Sequence, residues 1–370
     1  MKNIDRRKWL RTVSLSGGFA LLGGFESTAL EIPLKPFVKG GPVILSSNEN
    51  AYGPSQKVRE ALLKSFDEVC RYPFEMVSDL IQMIAAKEGV SKDCIVVTGG
   101  SAEGLRATGL TYGLHGGELI AADPTFDIML SYAENFGAYA HRVPLNEKME
   151  HDLDAMASRI TSRTRLIFIC NPNNPTGTLL NKDQLRSFIT AVDNKAVVFS
   201  DEAYYDFITE PEYPSMVELV KEGRNVIVSK TFSKVFGLAG LRIGYLVARP
   251  DIASRLNNSV MAMTNVLAIS AAKEALNDDA FYKFSVQKTI EAKELIYNTL
   301  NQIGLEYVKS HTNFIFFKTG RHIEGLMKDM LKENIVIGRP FPPYYTWARI
   351  STGKIEEVEL FGKALKKVMI

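Results

Sequence analysis

The sequence predicts an α/β protein whose main sheet is mostly parallel and buried on both faces, followed by a smaller α+β domain. Three observations carry that expectation. Short runs rich in Val and Ile alternate with helical patterns from Lys57 onward. These runs are apolar throughout, as in strands covered by helices on both sides. After about Pro250 the pattern changes to long helical stretches before strands return.

The first residues stand apart from all of this. Arg6, Arg7, Lys8 and Arg11 precede a short, glycine-interrupted apolar run from Val13 to Phe25 that contains no acidic residue. That is the layout of a signal peptide, and the run is short for a membrane span. The paired arginines followed by Lys8, Trp9 and Leu10 resemble a twin-arginine export signal, with Ser27, Thr28 and Ala29 as a small-residue cleavage site. Residues 1–29 are therefore expected to direct export, to the periplasm; a cytoplasmic or membrane-anchored protein is the alternative. Residues 30–55 are expected to form an N-terminal arm belonging in part to the small domain, 56–255 the large domain and 256–370 the small C-terminal domain.

Along the chain, "KVREALLKSF" reads as a helix. The runs "CIVVT", "ELIAAD", "RLIFIC", "AVVFSD", "NVIVSK" and "GYLVA" read as strands bounded by Gly, Pro, Asn, Asp or charged residues. Beyond them "AISAAKEALND" and "SVQKTIEAKELIYNTLNQIG" read as helices, and "NFIFFK" and "NIVIG" as strands. In the last helix Val358, Phe361, Leu365 and Val368 recur at helical spacing and are expected to pack on the small sheet. There is no internal repeat, and "RPFPPYY" at 339–345 is the one irregular stretch of note.

Composition bounds the function. The 44 basic and 42 acidic residues nearly cancel, so no extended basic face points to nucleic acid, and a small-molecule partner is expected. The three cysteines, Cys70, Cys94 and Cys170, are too scattered for a disulfide framework or a zinc site and are read as buried thiols. No metal site is expected.

Ligands of open α/β sheets bind beyond the carboxyl ends of the strands, so the residues just after each apolar run are the place to look for chemistry. After "CIVVT" comes "GGSAEGL", Gly99 to Leu105, either a tight turn or an anion cup made by backbone amides at a helix start. After "RLIFIC" comes "NPNNPTG", Asn171 to Gly177, which stacks turn-formers and side-chain amides. After "AVVFS" comes "DEAYYDF", where Asp201 is either a helix cap or an acid at the floor of a pocket. Finally "SKTFSKVFGLAGLRIGY" holds Lys230 and Lys234 four residues apart, then glycines, then Arg242. Together these pieces ask for a ligand with a phosphate, an aromatic cationic ring, a phenolic oxygen and an electrophilic carbon. Pyridoxal phosphate has all four.

In this order and spacing the motifs resemble a fold-type I pyridoxal-phosphate aminotransferase of class I/II. "NENAYGPS" and "RYP" further resemble the histidinol-phosphate aminotransferase-like branch. The resemblance runs from about Leu45 to near the end and implies a mostly parallel seven-stranded sheet between helices. It implies that Lys234 is the Schiff-base lysine and Arg242 the phosphate-binding arginine. Thr231 and Ser233 would add hydroxyls, and Gly100, Ser101 and Ala102 the amides of the phosphate cup. Asp201 would pair with the pyridinium nitrogen, Asn174 and Tyr204 would reach the phenolic oxygen, and Phe126 would stack on the ring. Tyr72 would reach the phosphate of a neighbouring subunit, which implies a homodimer with shared sites. Arg349 would receive the substrate's acidic group, with Arg339 and Tyr52 as further candidates, while Lys230 is read as an ordinary charge. Ala51 departs from the branch, which has proline there, and Ala102 from the many relatives with an acidic residue.

The implied activity is transfer of an amino group from an amino acid, or a histidinol-phosphate-like amine, to a 2-oxo acid acceptor by a ping-pong mechanism. A lyase or decarboxylase on the same scaffold is the alternative. Because export would part the enzyme from cytoplasmic histidine synthesis, a general amino-acid transaminase is the expected role.

Overall fold

The structure, a computed structural model, describes residues 41–369. The export signal expected at residues 1–29 lies outside the described residues, as do residues 30–40 of the arm expected at 30–55. The strands are β1 Val43–Leu45, β2 Ile95–Thr98, β3 Glu118–Asp123, β4 Tyr139–Pro144, β5 Thr164–Cys170, β6 Val197–Asp201, β7 Val226–Thr231, β8 Gly244–Ala248, β9 Phe314–Lys318, β10 Ile335–Ile337 and β11 Trp347–Ser351. Every apolar run read from the sequence is a strand here.

Seven strands form the main sheet in the order β2-β8-β7-β6-β5-β3-β4. The pairs β3/β4, β3/β5, β5/β6 and β6/β7 are parallel, and β8 runs antiparallel to both β7 and β2. Successive side chains of a strand point to opposite faces. Ile167, Ile169, Val198 and Val228 accordingly join one apolar cluster, while Leu166, Phe168, Phe199 and Ile227 join another. Each such fully buried aliphatic or aromatic side chain contributes about 1.5–3 kcal/mol, which is why these strands contain almost nothing polar. Strand β4 was not anticipated from the sequence. Its residues "YAHRVP" bury only Ala140 and Val143, one in each of the two clusters, and leave the others exposed or half-buried, as at the edge of a sheet.

A third cluster joins the last helix, Ile355–Met369, to the small sheets. Val358, Phe361 and Leu365 are buried there against Ile315, Phe317, Ala348 and Ile350, as the helical spacing predicts, and Val368 packs at the margin. The small sheets are the parallel pair β1/β10 and the antiparallel pair β9/β11. Arg349 lies in the middle of β11.

The parallel strands β3, β5, β6 and β7 all end on one edge of the main sheet, and β2 ends there too. Strand β8 starts there, its Gly244 paired with both Thr98 and Thr231. A Cβ on Gly244 would come within 2.9 Å of the Lys230 carbonyl oxygen and of the Ser101 backbone nitrogen. Only glycine lets β8 sit this close to the start of the helix Ser101–Gly113.

Cys94 and Cys170 are buried as expected, but Cys70 is exposed. It follows the short 3₁₀ turn Ser65–Glu68, and residues 66–72 all face outward, so no core element covers the thiol. Among the described residues no helix is long and apolar enough to cross a membrane.

Replacing Gly244 with alanine should therefore destabilise the fold by about 1–3 kcal/mol, the usual range for overpacking. Urea unfolding of the purified variant measures this, and a midpoint equal to the parent's would mean that the helix start can move aside.

Candidate active site

A cavity of about 280 Å³ opens at that edge of the main sheet. Its wall includes Ser101, Ala102, Phe126, Asn174, Asp201, Tyr204, Ser233, Lys234, Arg242, Arg339 and Arg349. The sequence had singled out all of these, from seven separate stretches of chain. Gly100 and Thr231 stand just behind the wall. Tyr52 lines a smaller adjoining cavity and meets the Phe284 ring edge-on, and Tyr72 lies on the surface, 81% exposed.

One end of the cavity is built for an anion. The helix Ser101–Gly113 begins at Gly100, which offers no side-chain cap, so the first amides of the helix are left for a ligand. Gly100 has φ +83°, and a Cβ there would fall 2.3 Å from the Arg242 Nη2 atom. Arg242 itself holds φ 58°, a left-handed conformation costly for a side chain of its size. Its guanidinium donates to the carbonyls of Ala239, at 2.6 Å, and Gly99, at 3.5 Å. It has no carboxylate partner among the described residues, so its charge is available to a phosphate. Ser233 adds a hydroxyl, held by a 3.0 Å hydrogen bond donated by the Thr231 hydroxyl.

The middle of the cavity is fixed by amide geometry. Arg349 donates from Nη1 to Asn174 Oδ1 at 2.7 Å, which turns the amide nitrogen of Asn174 toward Tyr204 Oη at 3.4 Å. Asn48 Nδ2 donates to the same phenolic oxygen at 2.9 Å. Tyr204 thus accepts twice and keeps its own hydrogen for a ligand oxygen. The neighbouring Asn173 ties two loops together: its Oδ1 accepts from Thr125 Oγ1 at 2.8 Å and its Nδ2 donates to the Pro124 carbonyl at 3.2 Å. That holds the Phe126 loop against the loop of Asn174.

Asp201 sits at the end of β6, 2% exposed, and accepts from the Ala203 amide at 3.1 Å. Burial pushes its carboxyl up from 3.8 to about 7, a displacement worth roughly 4 kcal/mol at about 1.4 kcal/mol per tenfold. The Ala203 amide and the charge of Lys234 offset only part of that burial. A cationic ring nitrogen beside it would offset the rest. Lys234 donates from Nζ to the Asn48 carbonyl at 2.9 Å and to that of Ser47 at 3.5 Å. Burial, then the charge of Arg349, lowers its amine from 10.5 to about 8. An amine so displaced is neutral often enough near neutral pH to act as nucleophile and base.

Arg349 is 7% exposed, and its Nε has no hydrogen-bond partner. Its other contacts are the Ser46 carbonyl, at 2.7 Å, and the ring faces of Phe341 and Phe314 at 4.8 and 5.4 Å. Burial lowers its guanidinium to about 10, and Arg339 nearby adds to the positive field. The residues present fit pyridoxal phosphate at each of its groups: the cup for the phosphate, Asp201 for the ring nitrogen, Asn174 and Tyr204 for the phenolic oxygen, Phe126 for the ring and Lys234 for the aldehyde.

Sequence reasoning missed Ser47, Asn48, Glu49, Cys170, Ala203 and Ala239 in the wall. Asn48 and Glu49 lie in "NENAYG", whose crowding of amides was the available signal. Lys230 also differs from expectation. It is no ordinary surface charge but lies 15% exposed between the carboxylates of Glu88 and Glu202.

The capture of pyridoxal phosphate by the apoprotein should rise with pH through a midpoint near 8, because only the neutral Lys234 amine attacks. Arg349→Met removes a cation that disfavours the charged amine, so its midpoint should move to higher pH. Stopped-flow absorbance across the pH range reads both; an unmoved midpoint in the variant would mean that burial alone tunes the lysine.

Comparison with known proteins agrees with this geometry. The family described as aminotransferase class I and II matches residues 41–365. The histidinol-phosphate aminotransferase of Moorella thermoacetica is 37% identical over 355 residues, covering 91% of this chain and 92% of the relative. The histidinol-phosphate aminotransferase of Sinorhizobium meliloti, solved in complex with pyridoxal-5'-phosphate, shares the fold with a TM-score of 0.82 at 24% identity, over 88% of this chain and 90% of that one. L-threonine-O-3-phosphate decarboxylase from Porphyromonas gingivalis aligns with a TM-score of 0.75 at 26% identity, over 88% and 99%. A fold-type I α/β architecture, a cavity that fits pyridoxal phosphate and a family match spanning most of the chain converge: this protein belongs to the class I and II aminotransferases.

Proposed function

We propose that the protein transfers an amino group from a donor bearing an acidic group, a phosphate ester or a carboxylate, to a 2-oxo acid. The observation that carries the donor class is Arg349, a buried guanidinium in the cavity wall with an unpartnered Nε and no carboxylate partner among the described residues. Arg339 lines the same cavity and adds a second positive charge there. Relatives named for histidinol phosphate support a phosphate ester, and a general amino-acid donor uses the same arginines through its carboxylate.

Bound pyridoxal phosphate supplies an electrophilic carbon and an electron-accepting ring. Asp201 would hold the proton on the ring nitrogen. Asn174 and Tyr204 would orient the phenolic oxygen, and the cup of Ser101, Ala102, Ser233 and Arg242 would fix the phosphate. Arg349 would hold the donor's acidic group on the same side of the cavity as Lys234. The Lys234 Nζ would take the donor's α-proton and return it to the cofactor carbon that receives the amino group, water would supply the oxygen with which the donor leaves as a carbonyl compound, and the 2-oxo acid would then enter by the reverse sequence.

Mixing the loaded enzyme with donors one at a time, histidinol phosphate among them, should bleach the visible absorbance in a single turnover and release the matching carbonyl compound. Release of carbon dioxide with the absorbance retained would instead identify a decarboxylase, the reaction of the Porphyromonas relative. Arg349→Met should raise the donor KM about tenfold or more, the weight of a charged hydrogen bond.

We also propose a homodimer with shared sites. Its support is the outward-facing stretch that holds Phe66, Val69, Tyr72 and Phe74, 52–81% exposed and unusually apolar for a monomer's surface. Sedimentation should give twice 41.2 kDa, and Tyr72→Phe should weaken cofactor binding if the partner's phosphate is its target. Export by the twin-arginine route is proposed from the paired Arg6 and Arg7, the apolar run Val13 to Phe25 and the small residues Ser27, Thr28 and Ala29. Changing both arginines to lysine should keep the protein in the cytoplasm, and undiminished export would remove this reading.

A further inference from the structure

Lys230 and Lys234 share one strand end but face different surroundings. The Lys230 ammonium lies 3.4 Å from Glu88 Oε2, 3.5 Å from Glu202 Oε2 and 4.5 Å from the centre of the Tyr205 ring. Glu202 directly follows Asp201, and Tyr205 directly follows Tyr204, so one cation touches the residue next to each of two site residues. The rest of the turn is wired to the same point. Glu202 accepts from the Ser215 hydroxyl at 2.6 Å and from the Met216 amide at 2.7 Å, and its own amide donates to the Ser229 carbonyl at 2.9 Å. Glu88 is held in place by the Tyr245 hydroxyl at 2.7 Å. Tyr245 is the residue paired with Lys230 across β7 and β8.

We propose that Lys230 is a positioning residue: its ammonium locks the strand that leads to Lys234 against the turn that presents Asp201 and Tyr204, and so sets the spacing of the three groups around the cofactor ring. The proposal rests on the functional reading above. Burial pulls the Lys230 amine down, but Glu202, Glu88 and then Asp206 outweigh it and hold the ammonium above the ordinary lysine range. Without it, two buried carboxylates would face each other across the gap, and the turn would move to separate them.

The test compares Lys230→Met, Lys230→Arg and the double variant Lys230→Met/Glu202→Gln, which removes the stranded charge next to Asp201. Three quantities are read: urea unfolding of the apoprotein, the dissociation constant of pyridoxal phosphate from an absorbance titration, and kcat apart from KM for the donor. Lys230→Met should weaken cofactor binding about tenfold or more and lower kcat with little change in donor KM, as expected for groups displaced by a fraction of an ångström. Lys230→Arg should stay within about threefold of the parent because the cation persists. The double variant should regain the parent's unfolding midpoint without regaining cofactor affinity, and it also serves where the single variant fails to fold. A double or single variant that unfolds and binds cofactor like the parent would overturn the proposal. Failure of the parent itself to take up pyridoxal phosphate would instead overturn the functional reading.

Discussion

A sheet covered on both faces leaves only its edge for chemistry. Because helices bury nearly every side chain of β5, β6 and β7 on one face or the other, polar groups emerge mainly where the strands stop. Parallel pairing makes them stop on the same side, and the carboxyl ends of five strands therefore deliver Gly99, Phe126, Asn171, Asp201 and Thr231 into one neighbourhood. The reversed strand β8 completes the set by bringing Arg242 to the cup from the opposite direction. The close approach of Gly244 to the helix start is the condition for that arrangement.

The electrostatics of the cavity are lopsided. Arg242, Arg339, Arg349 and Lys234 line it, against Asp201 at its floor and Glu49, an exposed residue of its wall. Desolvation then acts on the two kinds of group in opposite senses: it raises Asp201 toward neutrality and lowers Lys234 and Arg349. Each is pushed toward its neutral form, and an opposite charge on a bound ligand would relieve that push. Ring nitrogen, phosphate and substrate anion are the complements of these charges, which is why the site reads as a single binding problem.

Much of this was legible in the sequence because strand ends can be found from apolar runs and chemistry follows strand ends. "ELIAAD" and "GYLVA" became strands with the boundaries read, and Lys234, Asp201, Asn174 and Arg242 each stood one motif further on. The parts that were not legible depend on contacts distant in sequence. Asn48 acts through Tyr204, 156 residues away, and through the backbone it offers Lys234, 186 residues away. Nothing in "NEN" announces those partners. Lys230 looked ordinary because alternation along a strand says which face a side chain takes, but not that two acids from other elements wait there. Cys70 was misread for the opposite reason: no core element reaches a residue that composition alone would bury.

The two hydrogen bonds from Lys234 to the carbonyls of Asn48 and Ser47 have a mechanical side. Asn48 is joined to β11 by the Ser351 hydroxyl, at 2.8 Å, and its carbonyl also accepts from Asn313, just before β9, at 3.0 Å. The free amine is thus a latch between the strand-end loop of the main sheet and a segment anchored on the small ones. A Lys234 nitrogen joined to a carbonyl carbon would keep at most one hydrogen, so at least one of these two bonds would be given up when the site is filled.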